Sequence, residues 1–118
     1  MKEGEKMSTK ATVELVSENR RKRSLLVKWY DGYDASAFVE KALKKMKKQK
    51  VKFTVEGIEQ ELLNGKGEFE KLAEGGKKEI QKAQDEVWST EYFVTLELQK
   101  ENKVLFIAEG FTCKEKTI

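Results

Sequence analysis

Apolar positions along this chain recur with two different periods. Ala11, Val13 and Leu15 alternate with polar residues, the period of a half-buried strand. A polar stretch, Ser17 to Ser24, separates them from Leu25–Tyr30, whose apolar and aromatic content predicts a second strand and so an antiparallel hairpin. Asp31-Gly32 then turns the chain. Beyond Asp34, a suitable N-cap, Ala35, Phe38, Val39, Ala42, Leu43 and Met46 fall at i, i+3, i+4, i+7, i+8 and i+11, the strongest helical signal present. Val51, Phe53 and Val55 alternate once more and predict a short strand, although Thr54 also suits the cap of a following helix. That helix carries Ile58, Leu62 and Leu63 and stops at Asn64-Gly65.

Residues 65–76 hold four glycines around Phe69, Leu72 and Ala73, which predicts one or two helical turns between flexible joints. A further helix from Lys77 has Ile80, Ala83, Val87 and Trp88 on one stripe and ends at Ser89-Thr90. Tyr92, Val94, Leu96 and Leu98 alternate with polar residues as a strand, with Phe93 on the opposite, polar face. Lys100–Lys103 forms a turn, and Val104–Ala108 is apolar on both faces, as a central strand or one covered by a partner would be. The expected fold class is α+β: an antiparallel sheet of four to five strands in two hairpins, with helices inserted between them and packed on one face. The expected organisation is a disordered segment 1–10, one domain 11–112 and a flexible tail 113–118.

Composition narrows the chemistry. At 118 residues the chain fits one domain. It has no histidine and a single cysteine, Cys113, which removes the commonest general base, the His-assisted nucleophiles and any cysteine-based metal site. No phosphate-cradling glycine loop joins a strand to a helix start. Asp31 and Asp34 sit three apart at a strand end and resemble half of a magnesium site, but a turn and a helix cap account for both. The expectation is a protein that is not an enzyme, with no cofactor and no metal. The charged N-terminus and the lack of a long apolar run predict no leader, no membrane partner and a cytoplasmic location, in a host cell if the chain is phage-encoded.

Charge adds the functional signal. Residues 1–55 carry 15 bases and 7 acids, whereas residues 56–97 carry 5 bases and 11 acids. Arg20, Arg21, Lys22 and Arg23 cluster at the predicted hairpin tip, where arginine forks suit phosphate oxygens. Lys41, Lys44, Lys45, Lys47, Lys48, Lys50 and Lys52 follow without the glutamates that normally intersperse a solvated helix face. Lys28 and Tyr30 share a strand face, leaving Tyr30 available to stack on bases.

The candidate nucleic-acid-binding residues are therefore Arg20, Arg21, Lys22, Arg23, Lys28, Tyr30, Lys44, Lys45, Lys47 and Lys48, for nucleic acid or a nucleoprotein complex. The alternative is a protein-binding inhibitor or accessory protein, similar in style to those of phages and mobile elements, for example one that blocks a host nucleic-acid defence complex. A homodimer through Val104–Ala108 is a further expectation.

Overall fold

The computed structural model describes residues 9–110 and 114–118. Six strands form one sheet in the order β3-β2-β1-β4-β5-β6. The strands are β1 (Lys10–Val16), β2 (Arg23–Lys28), β3 (Glu70–Gly75), β4 (Thr90–Gln99), β5 (Lys103–Glu109) and β6 (Lys114–Thr117). The helices are α1 (Ala35–Lys48), α2 (Val55–Asn64) and α3 (Lys77–Asp85), with a short 3-10 turn, Gly32–Asp34, leading into α1. Both predicted hairpins are present, β1-β2 and β4-β5. They meet through β1 and β4, which run parallel with Val13 opposite Val94 and Leu15 opposite Leu96. The sheet is thus mixed and mostly antiparallel, with more strands than the sequence suggested.

Alternation decides what covers each face. Ala11, Val13 and Leu15 join Leu26, Val94, Leu96, Val104 and Phe106 in a core roofed by Val39, Leu43 and Met46 of α1 and Ile58 and Leu62 of α2. Fully burying such a side chain is worth about 1.5–3 kcal/mol, so this layer holds the fold. Leu25 and Val27 point to the opposite face and are also fully buried. There α3 covers them: its Ile80 is buried, and Gln84 Nε2 donates to Thr12 Oγ1 at 3.4 Å. Helices α1 and α2 therefore share one face, and α3 takes part of the other.

Four local expectations change. The alternation at 51–55 is not a strand; Phe53 inserts into the core, Val51 stays exposed, and Thr54 caps α2 by accepting the Gly57 N–H at 2.9 Å. Residues 70–75 are not helical but pair with β2 as β3, because an edge register was open there. The stripe through Val87 and Trp88 ends early: α3 stops at Asp85 and Trp88 is 76% exposed. The tail expected to be flexible supplies β6, which pairs Lys114–Thr117 with β5. The expected disorder of 1–10 and the lone Cys113 lie outside the described residues, apart from Thr9 and Lys10, the latter opening β1. Among the described residues, no helix is long and apolar enough to cross a membrane.

β5 is an inner strand between β4 and β6, so its backbone has no free edge for a partner strand. Its Val104, Phe106 and Ala108 are core, and only Leu105 and Ile107 reach the other face, half-buried. A homodimer through this strand would have to use those two side chains.

Candidate nucleic-acid interface at the loop end

Three connections emerge at the same end of the sheet: the β1-β2 tip (residues 17–22), the α1-α2 loop (49–54) and the β4-β5 turn (100–102). Each turns tightly through a left-handed residue other than glycine, with φ of 65° at Arg20, 59° at Lys50, and 64° and 55° at Glu101 and Asn102. Asparagine tolerates that region because its short amide bonds locally. Asn102 uses the amide across the gap: its Oδ1 accepts the Phe53 N–H at 2.7 Å and its Nδ2 donates to the Val51 carbonyl at 3.3 Å. Lys47 Nζ donates to the Asn102 carbonyl at 3.0 Å. The helix loop is thereby tied to the sheet turn.

The β1-β2 tip is organised from within. Asn19 Oδ1 accepts from the Ser17 hydroxyl at 2.8 Å and from the Arg21 N–H at 2.9 Å, and Arg20 N–H bonds the Ser17 carbonyl. Arg20 then reaches Glu97 at 2.9 Å, and Lys22 pairs with Glu56 at the start of α2. Between the three connections lies an open cleft of about 690 Å³. Phe53, Val55 and Leu98 supply apolar lining, with Lys22, Lys52, Lys100, Glu18, Glu56 and Glu101 as its charged groups. Residues 17–22, 47–56 and 97–103 together hold nine cations and four carboxylates. The two basic clusters, distant in sequence, thus converge through Lys22 and Lys52.

The ten sequence-derived candidates divide. Seven already have partners within the chain. Arg23 is half-buried against Glu14 at 2.7 Å, Lys44 bonds Glu40 at 2.8 Å, and Lys45 bonds Glu61 at 3.1 Å. Arg20, Lys22 and Lys47 are held as described. Lys28 is the clearest departure. It is 4% exposed, donates to the Gly67 carbonyl, and its ammonium lies 5.3 Å and 5.8 Å from the Phe38 and Phe69 ring centres. It faces the helices, where no phosphate can reach it; the strand face assigned to it as open is covered by α1 and the 65–69 segment.

Arg21, Lys48 and Tyr30 have no side-chain partner among the described residues. Tyr30, however, lies past the far end of β2, roughly 23 Å from Arg23 at about 3.3 Å per strand residue. The structure does not bring it to the basic loops.

Several groups were not legible as site residues. Lys100 is exposed at the cleft without an ion-pair partner among the described residues, and Asn102 organises it; Lys52, already part of the lysine cluster read from the sequence, also lines the cleft, and Lys50 of the same cluster is exposed on the same loop. Glu59, 6% exposed, accepts from Ser24 Oγ at 2.6 Å and pairs with Lys71 at 3.1 Å, which fastens α2 to β2 and β3. Asp31 and Asp34 behave differently from expectation: neither makes a side-chain cap bond, because the 3-10 turn places Asp34 in helical rather than extended backbone. Among the described residues, no group of three or more acidic or thiol side chains is placed to hold a metal ion. No family model, curated protein or solved structure matches the chain.

Proposed function

We propose that the protein is a non-enzymatic cytoplasmic binding protein whose loop end grips the phosphates of a nucleic acid, free or within a nucleoprotein complex. The convergence of two basic connections, the β1-β2 tip and the α1-α2 loop, with the charge-balanced β4-β5 turn around one cleft carries this reading. Arg21, Lys48, Lys50, Lys52 and Lys100 are the free cations there, Lys22 is held only by the exposed Glu56, and the exposed Arg20 by the half-buried Glu97. An exposed pair such as that of Lys22 with Glu56 is worth about 0–1 kcal/mol, so exchanging its carboxylate for a phosphate costs little. Contacts of this type position a backbone and carry little sequence information.

Fluorescence anisotropy on short single- and double-stranded DNA and RNA at low salt tests it. Binding to at least one of the four is expected, weakened more than tenfold by the combined Arg21→Glu, Lys48→Glu and Lys52→Glu changes. No binding to any of them sinks the reading.

A second reading, a protein-binding inhibitor or accessory module, is favoured by the internal pairing of seven of the ten candidates. Retention of a partner after nuclease treatment of the complex, together with indifference to the triple reversal, is its expected signature.

A further inference from the structure

The end of the molecule opposite the basic loops has a different chemistry. Three large aromatic side chains stand in solvent there: Trp88 is 76% exposed, Tyr30 65% and Tyr33 58%. Every other tryptophan, tyrosine or phenylalanine among the described residues is at least partly covered. The rings share one end of the sheet, tied to the start of β1 by one backbone bond and by the Lys10 side chain. Gly32 N–H donates to the Thr9 carbonyl at 2.8 Å, and Lys10 Nζ donates to the Trp88 carbonyl at 2.9 Å. A Cβ on Gly32 would lie 2.6 Å from the Lys10 carbonyl carbon, so the Tyr30–Tyr33 turn sits directly on β1.

The sign of the charge is also reversed. Segments 29–34 and 85–91 contain five carboxylates and no base, and Lys10 beside them is engaged by the Trp88 carbonyl and lies 5.9 Å from the Trp29 ring centre. Asp34 and Asp31 lie close enough to Tyr33 to push its hydroxyl above the usual tyrosine pKa. Beside Tyr33 a cavity of about 230 Å³ is walled by Tyr92, Val94 and Ala108, with Glu109 and Lys114 at its edge. Folding explains none of this exposure: Trp88 follows the last turn of α3, and Tyr30 follows the last residue of β2, so both could be polar without loss to the core.

We infer that this aromatic end is a docking surface for an arginine-rich segment of a protein partner, separate from the loop end. Exposed tryptophan and tyrosine are the side chains that most often anchor protein interfaces. Flat guanidinium groups stack on such rings while carboxylates beside them neutralise the charge. A like-charged, acidic partner is repelled, and a second copy presenting the same surface would set these carboxylates against one another.

The test titrates the full chain with 15-residue peptides of equal length that are arginine-rich, lysine-rich or glutamate-rich, followed by calorimetry. The arginine peptide is expected to bind most tightly and the glutamate peptide not at all. Trp88→Ala with Tyr33→Ala should weaken the arginine peptide at least tenfold, and Asp31→Asn with Asp34→Asn about threefold or more. Both pairs replace surface groups, and an unchanged urea midpoint verifies the fold.

Equal binding of the arginine and lysine peptides, unaffected by loss of the rings, overturns the inference, as does no binding below millimolar concentration. Loss of oligonucleotide binding on removing the rings also overturns it, because the rings would then be a base-stacking platform. The triple reversal at the loop end should leave the peptide titration within twofold, so the two proposals fail separately.

Discussion

Lys28 sits where alternation in β2 would put a solvent-facing side chain, yet it is enclosed by Phe38, Phe69 and the Gly67 carbonyl. Alternation says which residues share a face, not whether that face is open. Both faces of β2 are covered, one by α1, α2 and the 65–69 segment and the other by α3, so a residue read as a phosphate contact is a structural cation. Lys28→Met keeps the stem and should leave nucleic-acid affinity within twofold. Lys28→Glu sets a carboxylate against a carbonyl and should lower stability by roughly 3–5 kcal/mol, read from urea unfolding. Asn102 invites a matching test. Asn102→Gly keeps the positive φ but removes two amide bonds across the cleft, at about 1 kcal/mol each. Unfolding should show a loss of about 1–2 kcal/mol, and Asn102→Ala a larger one, because alanine also strains the left-handed backbone.

At the scale of elements, legibility followed burial. β1, β2, α1, β4 and β5 bury continuous stripes, and their periods are plain in the sequence. β3 and β6 do not. β3 buries only parts of Leu72 and Ala73, whose spacing from Phe69 mimics a helical turn, and its pairing to β2 passes through a register shift beside Leu26. β6 reads Lys114-Glu115-Lys116-Thr117, all exposed, and no local pattern separates a charged edge strand from a loose tail. Long-range contacts hold it instead: Ile118 and Val104 exchange backbone bonds, and Lys116 reaches Glu40 on α1. Lys116 and Lys44 together hold the Glu40 carboxyl down at about 2, from an ordinary 4.5. A depressed carboxylate contributes stability above its unfolded pKa and loses it as pH falls through the folded one. Glu40→Gln should therefore cost about 1 kcal/mol or less at pH 7. That difference should close between pH 4.5 and 2 when the two proteins are unfolded in urea across the range.

For the whole molecule, the charge asymmetry visible in the sequence is not a basic half packed against an acidic half. The first hairpin and α1 run the length of the sheet, so each carries basic residues at one end and Asp31, Asp34 or the aromatic residues at the other. The strand directions sort the chain into a cationic loop end and an aromatic, anionic end about one strand length apart. Sequence shows the clusters but not this axis, since only the parallel β1/β4 pairing aligns the β1-β2 tip with the β4-β5 turn. A two-ended molecule makes a quantitative demand on salt dependence. If the loop end neutralises Z phosphates of a duplex, log K falls against log salt with a slope of about −0.9Z. Engagement of the five free cations sets that slope near −4 to −5. Each charge removed at Arg21, Lys48 or Lys52 should flatten it by about 1. Removing Asp31, Asp34 and Trp88 should leave it unchanged, because those groups lie beyond a Debye length of about 8–10 Å from the cleft. A slope that responds equally to both ends would mean that the net charge of the protein, rather than a located site, drives the association.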